Sequence, residues 1–148
     1  LSMSVPKSGM AVTLDIGNPL NIHPGNKKDV GERLALWALA KDYGKKIPYS
    51  GPVYRSHTVE NGAVLLSFEH SDGLILKPVA GKLNFQIAGD DKVFYEATAV
   101  VNGTNVVVSS PMVKNPVAVR YCWNDTAEAT LFNGAGLPAS SFRTDKWK

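Results

Sequence analysis

The sequence is poor in most of the features that announce a function. It has one cysteine, Cys122, so an intramolecular disulfide is excluded and the redox compartment cannot be read from it. It has three histidines, none with another ligand at a metal-binding spacing, so no metal or cofactor is expected. No apolar run approaches the length that spans a bilayer, which excludes a transmembrane helix. No basic run or basic–aromatic interleaving occurs, and the +3 net charge is scattered, so nucleic acid is not an expected partner. No G-x-S-x-G elbow and no phosphate-binding glycine loop is present. No internal repeat or low-complexity tract appears.

What remains is ordinary for a globular domain: 148 residues, 44% hydrophobic and 20% charged. The texture changes near Lys46. Before it, Met10–Ile16 ("MAVTLDI") reads as a short buried strand, stopped by Gly17 and Pro19. Asn26 then suits a helix N-cap, with Asp29 at the capping-box position. Val30, Leu34, Trp37 and Ala38 recur at helical spacing, and Gly44 suits the C-terminal cap. A lone strand needs neighbours, so this β-loop-α unit is not expected to stand by itself.

After Lys46 the pattern is all-β. Asn61-Gly62 and Asn102-Gly103 mark two hairpins. "GLILKPV", "LNFQIAG" and "PVAVRYCW" read as further strands, and the tail from Thr130 reads as turns. The fold class expected is mainly β: a C-terminal β-sandwich preceded by a strand and a helix, with domains at 1–46 and 47–148.

His23 is the main candidate for chemistry. It lies in the loop between the expected strand and helix, where open α/β sheets collect ligands. A capping or surface role for it is the plain alternative. Asp15, at the strand end, could orient a catalytic histidine or simply bond loop amides, and Asn21 could hold the imidazole or serve the turn. His57, His70 and Cys122 read as strand or core positions. Trp37, Trp123 and Trp147, with Tyr121 and Phe132, could offer a sugar-stacking surface, although aromatics in a sandwich are more often core. The residues alone therefore leave open a non-catalytic carbohydrate-binding or structural module.

The block "GMAVTLDIGNPLNIHPGNKKDVGERLALWALAKDYGK" closely resembles the C-terminal segment of the sialate O-acetylesterases, a family of SGNH-type ester hydrolases. "FQIAGDDKVFYEATA", "VVVSSPMVKNPVAVRYCW" and "LFNGAGLPASSFRTD" resemble the β-rich region that closes those proteins, so the likeness runs from about Ser8 to Trp147. The resemblance implies that residues 1–46 are the last strand, loop and helix of an α/β esterase domain. It carries the general base onto His23, in "IHP". It also implies a nucleophilic serine in an N-terminal part absent from this chain, which begins at Leu1 without an initiator methionine. The implied substrate is an acetylated sugar, sialic acid first, the implied setting secreted or periplasmic, and this chain alone is expected to be inactive. Many SGNH enzymes place an acid three positions before the histidine, and relatives with "D-IHP" two before. Here those positions are Leu20 and Asn21, so Asp15, a dyad or an acid in the missing part remain candidates for the third member.

Overall fold

The computed structural model describes residues 5–147. Leu1–Ser4 and Lys148, at the ends of the two expected regions, lie outside the described residues. Among the described residues one helix, α1 (Lys28–Lys41), precedes ten strands. These are β1 (Val53–Glu60), β2 (Ala63–Glu69), β3 (Ile75–Leu76), β4 (Phe85–Ala88) and β5 (Phe94–Glu96), followed by β6 (Thr98–Asn102), β7 (Asn105–Ser109), β8 (Ala118–Tyr121), β9 (Leu131–Phe132) and β10 (Phe142–Arg143).

Two four-stranded antiparallel sheets, ordered β1-β2-β7-β6 and β10-β8-β4-β5, form the sandwich, with a small β3-β9 sheet beside them. Strand periodicity explains the core. In β2, Val64, Leu66 and Phe68 are buried at every second position and face the partner sheet. Val106 and Val108 of β7 do the same, opposite Phe85 and Ile87 of β4 and Val119 and Tyr121 of β8. Aromatic rings lock the two layers. Phe142 stacks on Tyr54 at 4.8 Å and meets Phe68 edge-on at 5.7 Å.

Both hairpins are present, with different turns. Asn61 and Gly62 have φ of 52° and 75°, the type I′ pattern. At the second, Asn102 pairs with Asn105, so the turn is Gly103–Thr104 with positive φ at Gly103. The tail, expected as turns, contributes β9 and β10, each two residues long. The expectation for Met10–Ile16 is corrected. This segment is in no ladder, turns at Leu14–Ile16 and is only partly buried, because no described strand lies beside it to take its hydrogen bonds.

Tyr121 organises the interior. It is fully buried, and its hydroxyl oxygen accepts the backbone N–H of Thr130 at 2.7 Å and of Leu131 at 2.8 Å. Burial pushes its ionisation well above the usual tyrosine range. Tyr121→Phe keeps the ring but leaves two buried donors unpaired. It should destabilise the fold by about 2 kcal/mol, near the lower end of the penalty for two unsatisfied groups. Urea titration of both proteins measures the difference, and an unchanged midpoint would contradict this role for the hydroxyl.

Candidate functional site

The loop carrying His23 is built by short polar side chains. The Asn18 side-chain oxygen accepts the Leu20 N–H, and the Asn21 side-chain oxygen accepts the His23 N–H, each at 2.9 Å. These are Asx turns, in which a side chain closes a backbone turn. Asn21 thus braces the backbone of the histidine. His23 is solvent-exposed, and its imidazole has no hydrogen-bond partner among the described residues. Pro24 follows, and the chain then enters α1.

Asn26 and Asp29 guard that entry. The Asn26 side-chain oxygen accepts the Asp29 N–H at 3.2 Å, and its amide donates to the Asp29 carboxylate at 2.9 Å. The exchange resembles a capping box, although Asp29 binds the side-chain amide rather than the backbone N–H. Gly44, at φ 65°, ends the helix and lets the Lys45 N–H reach the Leu39 carbonyl at 2.9 Å.

Behind the loop, α1 grips the preceding segment. Arg33 holds Asp15 through two parallel bonds of 2.7 Å and also donates to the Val12 carbonyl. The pair is largely shielded, with side chains 11% and 17% exposed, and hydrogen bonding to Asp15 raises the Arg33 ionisation further. Trp37 donates its indole N–H to the Met10 carbonyl at 2.9 Å. Gly9 lies against the same ring, where a Cβ would come within 2.5 Å of the indole. The Leu14 carbonyl accepts the Ala129 N–H at 3.2 Å, which ties the segment to the sandwich.

Asp15 therefore faces Arg33, and no hydrogen bond joins it to His23 among the described residues. Sequence reasoning did not single out Arg33. The signal was there: it shares a helix face with Leu36, Trp37 and Ala40, where a charge requires a partner.

The rest of the unit is open. No residue of α1 is buried. Leu20 is 94% exposed and Ile22 89%, while Leu34, Leu39 and Tyr43 also stand in solvent. A helix with one face gripped and further leucines uncovered has apolar surface left to bury.

The other candidates sit elsewhere. His57, in β1, hydrogen-bonds the Tyr54 hydroxyl at 2.7 Å. His70 packs edge-on against Tyr49 at 4.9 Å. Cys122 is buried, and burial pushes its thiol up to about 11. Tyr121 and Phe132 are core residues and offer no sugar platform, whereas Trp123 is 45% exposed with Arg143 over its ring. Among the described residues no group of acidic, histidine or cysteine side chains could hold a metal ion. Among the described residues no helix is long and apolar enough to cross a membrane.

No family model matches the chain, and no curated protein matches it. Among solved structures, the chain is similar to a carbohydrate acetylesterase from Xanthomonas citri, with a TM-score of 0.85 and 44% identity. The match covers 93% of this chain and 32% of that one, so this chain spans about a third of that protein's length.

Proposed function

We propose that this chain is the C-terminal portion of a carbohydrate O-acetylesterase and supplies its general base, His23. The observation that carries the reading is the 44% identity to a carbohydrate acetylesterase over 93% of this chain. The exposed imidazole and the uncovered leucines of α1 support it, since both fit a segment docked on a further α/β portion. In this reading residues 1–46 complete an SGNH-type catalytic domain, and 47–148 form an accessory sandwich. The nucleophilic serine belongs to the N-terminal portion. The finer substrate we propose is O-acetylated sialic acid, on the resemblance of the Asp15–Gly44 block.

The chemistry is acyl transfer. His23 removes the serine proton as the serine oxygen attacks the acetyl carbonyl. The carbonyl electrons move onto oxygen, where amide donors stabilise the charge. Collapse breaks the bond to the sugar oxygen, which takes the proton from the imidazolium. Water, deprotonated in turn by His23, then releases acetate and restores the serine. His23 needs an acceptor for its second ring proton. Asp15 is held by Arg33 and Asn21 by the loop backbone, so these two act as positioning residues and the orienting acid comes from the serine-bearing portion.

The test is reconstitution. This chain and the serine-bearing portion are assayed separately and together on O-acetylated sialic acid and a chromogenic acetate ester. Hydrolysis is expected only from the pair. An active isolated chain, or a stable pair that hydrolyses neither ester, would sink the reading.

A further inference from the structure

A cleft lies away from the His23 loop. It has a volume of about 730 Å³ and opens between the end of α1, the β2–β3 loop and the loop after β9. None of its lining residues belongs to the His23 loop. Its walls are preformed. Asn133 is buried and donates to the Ser50 carbonyl at 2.9 Å and the His70 carbonyl at 3.1 Å, while its side-chain oxygen accepts the Leu137 N–H at 3.1 Å. One side chain thus joins three walls. Tyr49 is wedged between Trp37 at 4.8 Å and His70 at 4.9 Å, with the Lys41 ammonium 4.5 Å over its ring.

The charge of the cleft is one-sided. Lys41, Lys45 and Lys46 line it against a single carboxylate, Asp72. Lys45 and Lys46 make no ion pair or side-chain hydrogen bond among the described residues, and the Tyr49 hydroxyl has no partner there either. Two lysines at a helix C-terminus complement its dipole. The backbone there is already capped through Gly44, so their ammonium groups are left to meet a ligand. Ile47 and Pro48 add an apolar surface between these cations and Tyr49. Free ammonium groups beside an apolar wall and a hydroxyl match a ring that carries an acid group, and the volume falls in the range of small-molecule sites.

We propose that this cleft is a binding site for a carboxylate-bearing sugar. Lys45 and Lys46 hold the carboxylate, Ile47 and Pro48 pack against the ring, and the Tyr49 hydroxyl and Asp72 take up sugar hydroxyls. The sugar class rests on the carbohydrate-ester reading above. The test measures binding without turnover, so failure of the esterase reading and failure of the site are told apart.

Isotope-labelled chain is titrated with glucuronate, with glucose and with acetate, and amide resonances are followed. Glucuronate is expected to shift Lys45–Ser50, His70–Gly73 and Asn133–Ala135 saturably, with neither glucose nor acetate doing so. The exposed double variant Lys45→Glu with Lys46→Glu should weaken glucuronate binding at least tenfold and leave the spectrum of the sandwich unchanged. Unmoved resonances, equal shifts with glucose or acetate, or full binding by the double variant would each overturn the proposal.

Discussion

Replacing His23 by alanine is expected to lower kcat/KM of the reconstituted pair by about 10² to 10⁴, the usual worth of a positioned general base. The loss should fall on kcat. In the proposed mechanism the imidazole acts when the serine proton moves, whereas sugar binding depends on groups that do not change between ground state and transition state. The variant is also a clean one. His23 is exposed, and the contact that its residue makes in the loop is the backbone N–H donated to Asn21, which alanine keeps. Thermal stability and assembly with the serine-bearing portion should therefore be unchanged. Residual hydrolysis above the uncatalysed rate would come from the oxyanion donors and substrate binding. A variant that assembles normally and keeps its full rate would remove His23 from the mechanism.

Much of the fold was legible because its signals are local. Asn61-Gly62 sits between alternating strands, and only a few backbone conformations satisfy both the dipeptide and the alternation. The helix was readable from both ends, through the Asn26–Asp29 exchange at one, beside an N-cap that falls at Lys27 rather than at Asn26, and through Gly44 at the other. The failures have physical causes too. "MAVTLDI" has a buried-strand composition, but a strand exists only beside another strand, and composition does not say whether one is present. β9 and β10 are two residues long, too short to show any period, and they are specified by partners 50 or more residues away for β9 (Ile75–Leu76) and about 20 away for β10 (Arg120–Tyr121).

The site divides the same way. His23 was singled out by its place after a turn and before a helix, and its proposed role rests on the resemblance. The Arg33–Asp15 pair was not visible, because 18 residues separate its members and nothing in the spacing joins them. What the pair does is also non-local. It fixes where the segment before the histidine loop lies relative to α1, together with Trp37 and the Met10 carbonyl. The lysine-lined cleft was equally hidden: nothing in the sequence spacing joins Lys45 and Lys46 to Asp72, Tyr49 and Asn133, which the fold brings beside them.

Replacing Asp145 is expected to destabilise the sandwich strongly. Its side chain is 1% exposed. It accepts the Arg120 guanidinium through two bonds, at 2.9 and 3.0 Å, and the Trp147 N–H at 3.2 Å, with Arg143 3.9 Å away. Asp145→Ala leaves the Arg120 charge half-sheltered without its carboxylate. Breaking such a pair from one side costs about 3–5 kcal/mol. The lower part of that range is expected here, because Arg120 is 21% exposed and keeps its place 4.0 Å over the Phe94 ring. For a chain of this length, about 3 kcal/mol corresponds to a fall in Tm of roughly 6–12 °C. The sign of the pH dependence follows from the same contacts. Hydrogen bonding to Arg120 first, then the Arg120 charge, the Trp147 N–H and the Arg143 charge, hold the Asp145 carboxyl below its ordinary 3.8 against the opposing effect of burial. Its contribution is therefore complete above the ordinary value and is lost as pH falls through the lower, folded one. Asp145→Asn, which keeps an acceptor but not the charge, should be less stable than the native chain at pH 7, and the gap should narrow as pH drops below about 4. Calorimetric melts of both proteins from pH 7 down to pH 3 measure it, and a gap that stays constant or widens on acidification would contradict the ion pair's role.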